Sequence, residues 1–442
     1  MSKDYEKYDV SSSKPEVHAA TKDNDKGLFP KAFCKINPAP RGGFFGRIAD
    51  WINPLVSINS SDGAGTKAAL AYMYWKETGD ISVWHGVVQD SIVMNLDDIL
   101  CAGGIAGELH LTSNIDRNTK RIPGEVLAEL INGENYFLHT MRLFGINING
   151  QCGETADVPD LTPTILINNA MHCRMKKRDV INNGNIAPGQ KVVGLASHGQ
   201  ATYEDSYNGG ARSNGYTRMR HDLIHPEYRW KYPETYNGGF GMLHIKELKE
   251  IMRKNYRIPT ALQNDLEKHI ENVFVGIGEN AYNGTKKLTD LIKVETDEQI
   301  PFGKLALSPT RTYAPICRDI YREIGNRKIK GMVHNSGGGM TKVLNYLSRP
   351  MTIIKDNLFD MPALFGLIQA ETGAQWKGMY EDFNMGCGFE IYVEDEKTAE
   401  KIQNIAMRYN VASKIIGEVA HNGSDKPSVI ISGVNGTFSY SR

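Results

Sequence analysis

Apolar and polar positions along the chain follow two rhythms, and each change of rhythm marks an element. Leu55-Val56-Ser57-Ile58-Asn59 reads as a short buried strand ending at a loop around Asp62. From Lys67 to Glu77, Ala68, Ala71, Tyr72 and Trp75 recur on one side of a helix. A second helix is predicted from Asp90 to Ala102, with Met94, Leu96, Ile99 and Leu100 as its apolar positions. Residues eight apart lie about two turns along one helix face, which sets Asp90 and Asp98 pointing roughly the same way, about 12 Å apart. The plain alternative is that both are solvated helix charges. Glu108–Thr112 alternates as a strand, and Pro123–Phe144 carries Val126, Leu127, Leu130, Ile131, Phe137, Leu138 and Met141 at helical spacing. Ile146-Asn147-Ile148 leads into a loop at Gly153-Glu154-Thr155, and Thr164–Met175 reads as another strand.

Turn signals at Asn183-Gly184 and Pro188-Gly189 place a domain boundary near residue 185. Beyond it the pattern predicts strands at 191–196, 329–334, 388–393, 413–419 and 428–432, with helices at 315–323 and 398–409. Strands followed by helices, interleaved with alternating strands, predict an α/β (α+β) fold. A doubly wound dinucleotide fold lacks its G-x-G-x-x-G fingerprint, since Gly276-Ile277-Gly278 has no third glycine. Residues 1–44 are polar and then proline-bearing, and read as an N-terminal arm. The expected organisation is therefore an arm at 1–44, one domain at 45–185 and a second at 186–442.

Composition narrows the function. A chain of 442 residues is long enough for two domains, and its formal net charge is zero, which argues against a nucleic-acid binder working through a basic surface. Charged residues make up 23% and hydrophobic ones 40%, as in ordinary globular proteins. There is no apolar leader at the N-terminus and no membrane-length apolar run, so no membrane association is expected. The six cysteines, Cys34, Cys101, Cys152, Cys173, Cys317 and Cys387, form no C-x-x-C pair and read as reduced thiols of a cytoplasmic protein. Cys152 and Cys387 fall inside motifs and are expected to be small packing residues.

The run Asp62-Gly63-Ala64-Gly65-Thr66-Lys67 joins an acid, two glycines, a hydroxyl and a lysine. Asp holds Mg²⁺, glycine lets backbone N–H groups approach a phosphate, and Lys is a point charge for phosphate oxygens. It reads as a nucleotide-phosphate or metal-phosphate site, although it is not a Walker sequence; taken alone, its alternative reading is an ordinary turn between a strand and a helix. Further candidates are Asp97-Asp98, Gly153-Glu154-Thr155-Ala156-Asp157, Ser213-Asn214-Gly215-Tyr216, Pro309-Thr310-Arg311, His334-Asn335-Ser336-Gly337-Gly338-Gly339 and Phe383-Asn384-Met385-Gly386-Cys387-Gly388. Gly337-Gly338-Gly339, between a strand and a helix near Thr341, suits an anion. His334 just before it titrates near working pH. Arg311 suits a bidentate phosphate contact or, equally, a salt bridge. Asn384 is the one polar side chain of an apolar loop, and either caps that loop or contacts substrate. There is no Ser-His-Asp arrangement and no H-E-x-x-H sequence.

In order and spacing, these runs resemble the phosphoribosylformylglycinamidine cyclo-ligase (aminoimidazole ribonucleotide synthetase) family, whose matching runs read D-G-V-G-T-K, N-D-L, G-G-E-T-A, H-S-N-G-Y, P-T-R-I-Y, H-x-T-G-G-G and F-N-x-G-x-G. The resemblance covers about residues 45 to 432. It implies an ATP-dependent closure of formylglycinamidine ribonucleotide, with Mg²⁺, in a homodimer joined through strands of the N-terminal half. It further implies Asp62, Asp98 and Glu154 as metal ligands; Asp62, Gly63, Gly65, Thr66, Lys67 and Asp90 around ATP; Ser213, Arg311, Gly337, Gly338 and Gly339 around substrate; and His334, Asn214 and Asn384 in catalysis. Other readings are a related ATP-dependent enzyme, such as formylglycinamidine ribonucleotide synthetase, selenophosphate synthetase or thiamine-phosphate kinase, or a non-catalytic binding protein on the same fold. Departures from the pattern are Asp97 for Asn, Cys152 for Gly, Asp160 after Val158-Pro159, and an insertion at about 221–307. The insertion is read as a surface elaboration, a lid or an oligomer contact.

Overall fold

The computed structural model describes residues 55–213, 215–237, 265, 281–347, 349–421 and 425–441. The arm at 1–44, Cys34, Asn214 and, within the insertion, residues 238–264 and 266–280 lie outside the described residues.

The first half is a four-stranded sheet with helices on one side. Its strands are β1 (Leu55–Gly63), β2 (Glu108–Arg117), β3 (Ile148–Asp157) and β4 (Ile165–Lys176), in the order β1-β4-β2-β3. Only the β2–β3 pair is parallel. β4 alternates buried and open positions along its length, the signature of a sheet covered on one face. The covering helices are α1 (Lys67–Thr78), α2 (Val83–Cys101) and α3 (Gly124–Leu143). Two expectations shift here. β1 runs through Asp62, and Gly153-Glu154-Thr155 is strand rather than loop. Polar side chains at strand ends weakened the alternation, but the ladder with β4 and β2 continues through them.

α2 is buried almost all round, and its polar residues Asp90, Ser91, Asn95, Asp97 and Asp98 are buried with the rest. Such a helix sits between layers rather than on a surface. Asp90 and Asp98 are therefore not solvated helix charges, and every polar side chain on α2 needs a partner.

The second half is built on a seven-stranded sheet of β5 (Lys191–Ala196), β10 (Ile329–His334), β11 (Thr352–Lys355), β12 (Cys387–Val393), β13 (Ser413–Ala420), β14 (Ser428–Gly433) and β15 (Gly436–Ser441), ordered β10-β12-β5-β13-β11-β14-β15. All neighbours are antiparallel except β11 and β14. Short strands β6 (His198–Gly199) with β7 (Asn208–Gly209) and β8 (Leu291–Lys293) with β9 (Gln299–Pro301) form two small hairpin-like pairs. The helices are α4 (Tyr216–Leu223), α5 (Glu227–Lys231), α6 (Phe302–Ala306), α7 (Ala314–Glu323), α8 (Ala363–Thr372), α9 (Trp376–Asp382) and α10 (Glu396–Arg408). The molecule is thus a mixed α/β protein of the α+β kind, with two mainly antiparallel sheets.

The described parts of the 221–307 insertion are not a loose appendage. Tyr228 and Tyr282 are fully buried, Tyr72 of α1 donates to Glu234 (2.7 Å), and Lys231 pairs with Glu77 at the end of α1 (3.1 Å). The insertion is tied to the N-terminal half by its own polar contacts.

Candidate functional site

The polar residues of α2 organise the site, each meeting a different motif. Asp90 takes Lys67 (2.8 Å), the Thr310 N–H (2.6 Å) and the Thr310 hydroxyl (2.5 Å). Lys67 also donates to the Ser308 carbonyl (2.5 Å), and its ammonium lies over the Tyr216 ring. Asn95 accepts from Ser60 (2.8 Å) and donates to the Asp62 carbonyl (3.2 Å). Asp97 accepts from Arg212 (2.7 Å) and from Thr312 (2.8 Å), and Asp98 lies 3.4 Å from His334 Nδ1. Thr66 meets Thr217 at 3.1 Å, which brings the start of α1 against the start of α4. Segments hundreds of residues apart therefore converge around one helix: 62–67, 97–98, 212–217, 308–313 and 334–339.

This convergence corrects several sequence assignments. Lys67 and Asp90 are both fully buried and joined to each other, so in this structure neither is turned to a nucleotide. Burial raises the Asp90 pKa and lowers that of Lys67, and each is opposed by its partner's charge. Arg311 is 2% exposed and takes the salt-bridge reading: it donates to Glu204 (2.9 and 2.5 Å) and to the carbonyls of Ala196, His198 and Gly199. No direction of its fork is left for a substrate phosphate. Asn384 caps its loop, accepting from Ser197 (2.9 Å) and the Gly386 N–H (2.9 Å) and donating to the Gly210 carbonyl (2.9 Å). Gly63 has a packing reason to be glycine, because a Cβ there would fall 2.1 Å from Asn168 Oδ1. Cys152 is exposed rather than packed, whereas Cys387 is buried as expected.

The proposed metal set does not assemble within one chain. Asp62 pairs with Asn169, which pairs with Ser113, whereas Glu154 pairs with Asn114, which pairs with Asn168. These are successive rows, and side chains of successive rows point to opposite faces. Asn169 faces α2, where it is bonded to Ser91 (2.7 Å), so Glu154 lies on the open face. Asp62 and Glu154 are also on the two edge strands, about 14 Å apart at the usual strand spacing. Among the described residues no cluster of three or more His, Cys, Asp or Glu could hold a metal ion. Asp62 and Gly65 are the exposed members of the glycine run, while Thr66 is half-buried.

The His334 region is the chemically suggestive part. His334 ends β10 and is 1% exposed. Burial, together with the Arg212 and Lys342 cations nearby, holds its pKa well below the ordinary histidine value, so the ring is neutral at neutral pH. With Nδ1 towards the Asp98 carboxylate, the proton belongs on Nδ1 and the lone pair on Nε2, which has no hydrogen-bond partner among the described residues. Ser213 Oγ, Arg212 Nε and Asn335 Oδ1 are likewise buried without such a partner. A narrow cavity is lined by Arg212, Gly215, Asn335, Ser336, Asp382 and Asn384 among others.

The glycine run after His334 is shaped by packing on α9. Gly339 has φ 50°, and a Cβ there would fall 2.5 Å from the carbonyls of Phe383 and Tyr380. The eight-residue 3-10 helix Gly339–Tyr346 follows, and its Lys342 donates to Ser336 (2.5 Å). Lys342 and Arg212 are the cations that sequence reasoning missed. Each had a signal: Lys342 lies one turn beyond the glycines, and Arg212 precedes Ser213 where the family pattern has His.

No protein-family model matches the chain. It is similar along most of its length to proteins named phosphoribosylformylglycinamidine cyclo-ligase, as the motifs indicated. It is 24% identical to that of Methanocaldococcus jannaschii over 366 residues, 82% of this chain and 77% of the other. It is 26% identical to that of Staphylococcus carnosus over 384 residues, 86% of this chain and 84% of the other. Solved structures with a partial likeness include Thermotoga maritima PurL complexed with FGAR (TM-score 0.45, 10% identity, 87% of this chain) and E. coli HypE, a hydrogenase maturation protein (TM-score 0.45, 12% identity, 93% of this chain and 92% of the other). The chain spans 45% of the length of that PurL chain.

Proposed function

We propose that this relative of the phosphoribosylformylglycinamidine cyclo-ligases is an ATP-dependent, carbon–nitrogen bond-forming enzyme that closes formylglycinamidine ribonucleotide into aminoimidazole ribonucleotide, with release of ADP and phosphate. The observation that carries this reading is the convergence of the family's motif segments on the C-terminal half of α2, beside a neutral, buried His334 with its Nε2 unpartnered.

The chemical difficulty is that an amide oxygen leaves poorly. In the proposed reaction the formyl oxygen attacks the γ-phosphorus of ATP and ADP departs. The ribosyl-bearing nitrogen then attacks the activated carbon, and the phosphate leaves with the former amide oxygen. That nitrogen loses a proton, and His334 Nε2 is the assigned acceptor, with Asp98 holding the ring. Position and charge stabilisation supply most of the acceleration in such transfers. Lys342, the glycine run 337–339 and Ser213 are assigned to substrate anion, and the run from Asp62 to Gly65, with its exposed Asp62 and Gly65, to the ATP phosphates. We assign residues 45–185 to ATP and dimer contacts and 186–442 to substrate. ATP is written here as substrate. Since the acids of one chain do not gather around a cation, no step is assigned to Mg²⁺.

ADP release measured with and without formylglycinamidine ribonucleotide tests the reading. The expected result is release that depends on the ribonucleotide, together with formation of aminoimidazole ribonucleotide. ADP release indifferent to it, or none at all from folded protein, overturns the proposal.

A further inference from the structure

Behind the cavity lies a charged pair for which the proposed reaction has no use. Lys355 and Glu390 are both fully buried and bonded to each other. Lys355 also donates to the Met340 carbonyl (2.6 Å), and the second Glu390 oxygen accepts from the Tyr392 hydroxyl (2.8 Å). Placing two charges in a protein interior costs several kcal/mol per ion before their attraction is counted, so such a pair is poor evidence of a stabilising device. Its geometry has a clearer consequence for Asn335.

Asn335 Nδ2 donates to Glu390 Oε1 (2.8 Å) and to the Cys387 carbonyl (3.0 Å). A carboxylate and a carbonyl both only accept, so the amide has one allowed orientation, with both N–H bonds turned inward. Its Oδ1 is left buried without a hydrogen-bond partner among the described residues. Arg212 is fixed in a similar way. Its two terminal nitrogens serve the Gly388 carbonyl (2.9 Å) and Asp97 (2.7 Å), and its Nε is left buried without a partner. Asn335 and Arg212 are both lining residues of that cavity, so one unused acceptor and one unused donor belong to side chains of its wall.

We infer that Asn335 is a specificity-determining residue whose Oδ1 receives an N–H of the substrate's amidine group, with Glu390 and Lys355 as positioning residues and Arg212 Nε–H serving an acceptor on the same ligand. The inference rests on the proposed reaction and names what selects its substrate. The amidine differs from its amide precursor by N–H in place of a carbonyl oxygen. In the amide, that oxygen meets Asn335 Oδ1, acceptor against acceptor, and an amide that cannot turn over offers no relief. Discrimination of this kind works by leaving a buried polar group unpaired with the wrong ligand.

The test measures dissociation constants of formylglycinamidine ribonucleotide and formylglycinamide ribonucleotide by calorimetry. The wild-type protein is expected to prefer the amidine by roughly thirtyfold, within the range for an unsatisfied buried acceptor. Asn335→Ala is expected to bring the two affinities within about threefold. Asn335→Ser, which keeps a hydroxyl donor for Glu390, is the second variant in case the alanine form does not fold, with the same expectation. Glu390→Gln leaves the Cys387 carbonyl as the one acceptor-only group holding the Asn335 amide, so it should lower the preference in part, by less than the Asn335 variants, which a merely structural pair would not do. Equal affinities in the wild type, or a preference that survives both Asn335 variants, overturns the inference while leaving the cyclisation reading intact. If neither ribonucleotide binds folded wild-type protein, the cyclisation reading fails and the inference falls with it.

Discussion

Asp97 and Arg212 are the two places where this chain departs from the N-D-L and H-S-N-G-Y patterns with a charge, and they are bonded to each other at 2.7 Å, 0% and 3% exposed. One explanation covers both: each charge is tolerated because the other is present. Asp97→Asn keeps the shape and an oxygen for Thr312, yet leaves the Arg212 guanidinium without its counter-charge. Removing one partner of a buried pair typically costs about 3–5 kcal/mol. Unfolding entropy of about 2.1 cal/mol/K per residue makes that a fall of about 3–5 °C for a chain of this length melting as one unit. Arg212→His alone should cost a similar amount, because it strands the Asp97 carboxylate. The double variant, with Asn and His at 97 and 212, should recover at least about 2 kcal/mol relative to the sum of the single changes. Differential scanning calorimetry of the four proteins closes the cycle. Additive losses, with the double variant as unstable as the two singles combined, would refute the claim that these exchanges compensate each other.

His334→Ala should lower turnover at saturating substrate by about 10²-fold if the ring takes the proton, with ATP affinity nearly unchanged; a variant that melts earlier but keeps its kinetics would show a purely structural histidine. Because burial holds His334 well below its ordinary pKa, the unfolded chain binds the extra proton below pH about 6.5, so stability is lost as pH falls through that window. His334→Gln should shrink the pH 8-to-5 loss by about 2 kcal/mol, whereas Asp97, pushed up to about 6 by burial against the opposing Arg212 charge, contributes with the opposite sign between its unfolded value and pH 6; denaturant melts across pH check both. We also propose a homodimer joined through the N-terminal sheet, whose open face carries Asn59, Asn114, Asn168 and His172; light scattering giving only the 49.2 kDa monomer mass at micromolar concentration would rule it out.

What was legible in the sequence and what was not divides along a physical line. Periodicity is a local property, and it placed the α1 helix at Lys67 and the strand Ile329–His334 to the residue. Strand order is not local: β5 sits between β12 and β13, far apart in the chain, and no short-range signal carries that pairing. The site shows the same division more sharply. Motif spacing marked 62–67, 213–216, 310–311 and 334–339 as the chemical segments, and the fold does bring them together around α2. It could not say which side chains are consumed in the gathering. Arg311 and Asn384 were chosen because their groups suit a ligand, and the same groups suit the protein's own carbonyls and carboxylates, which bind them. Asp62 and Glu154 failed as a pair for a reason of one residue. A strand turns successive side chains to opposite faces, so membership in adjacent rows is enough to separate them. Asn335 was passed over because it occupied a variable position of the quoted pattern. Its interest comes from Glu390, 55 positions further on, which helps turn its amide one way and leave the oxygen buried without a hydrogen-bond partner among the described residues. A functional atom in this protein is thus best found by asking which buried polar atoms the fold leaves unused, once the pairs made among motif residues have been set aside.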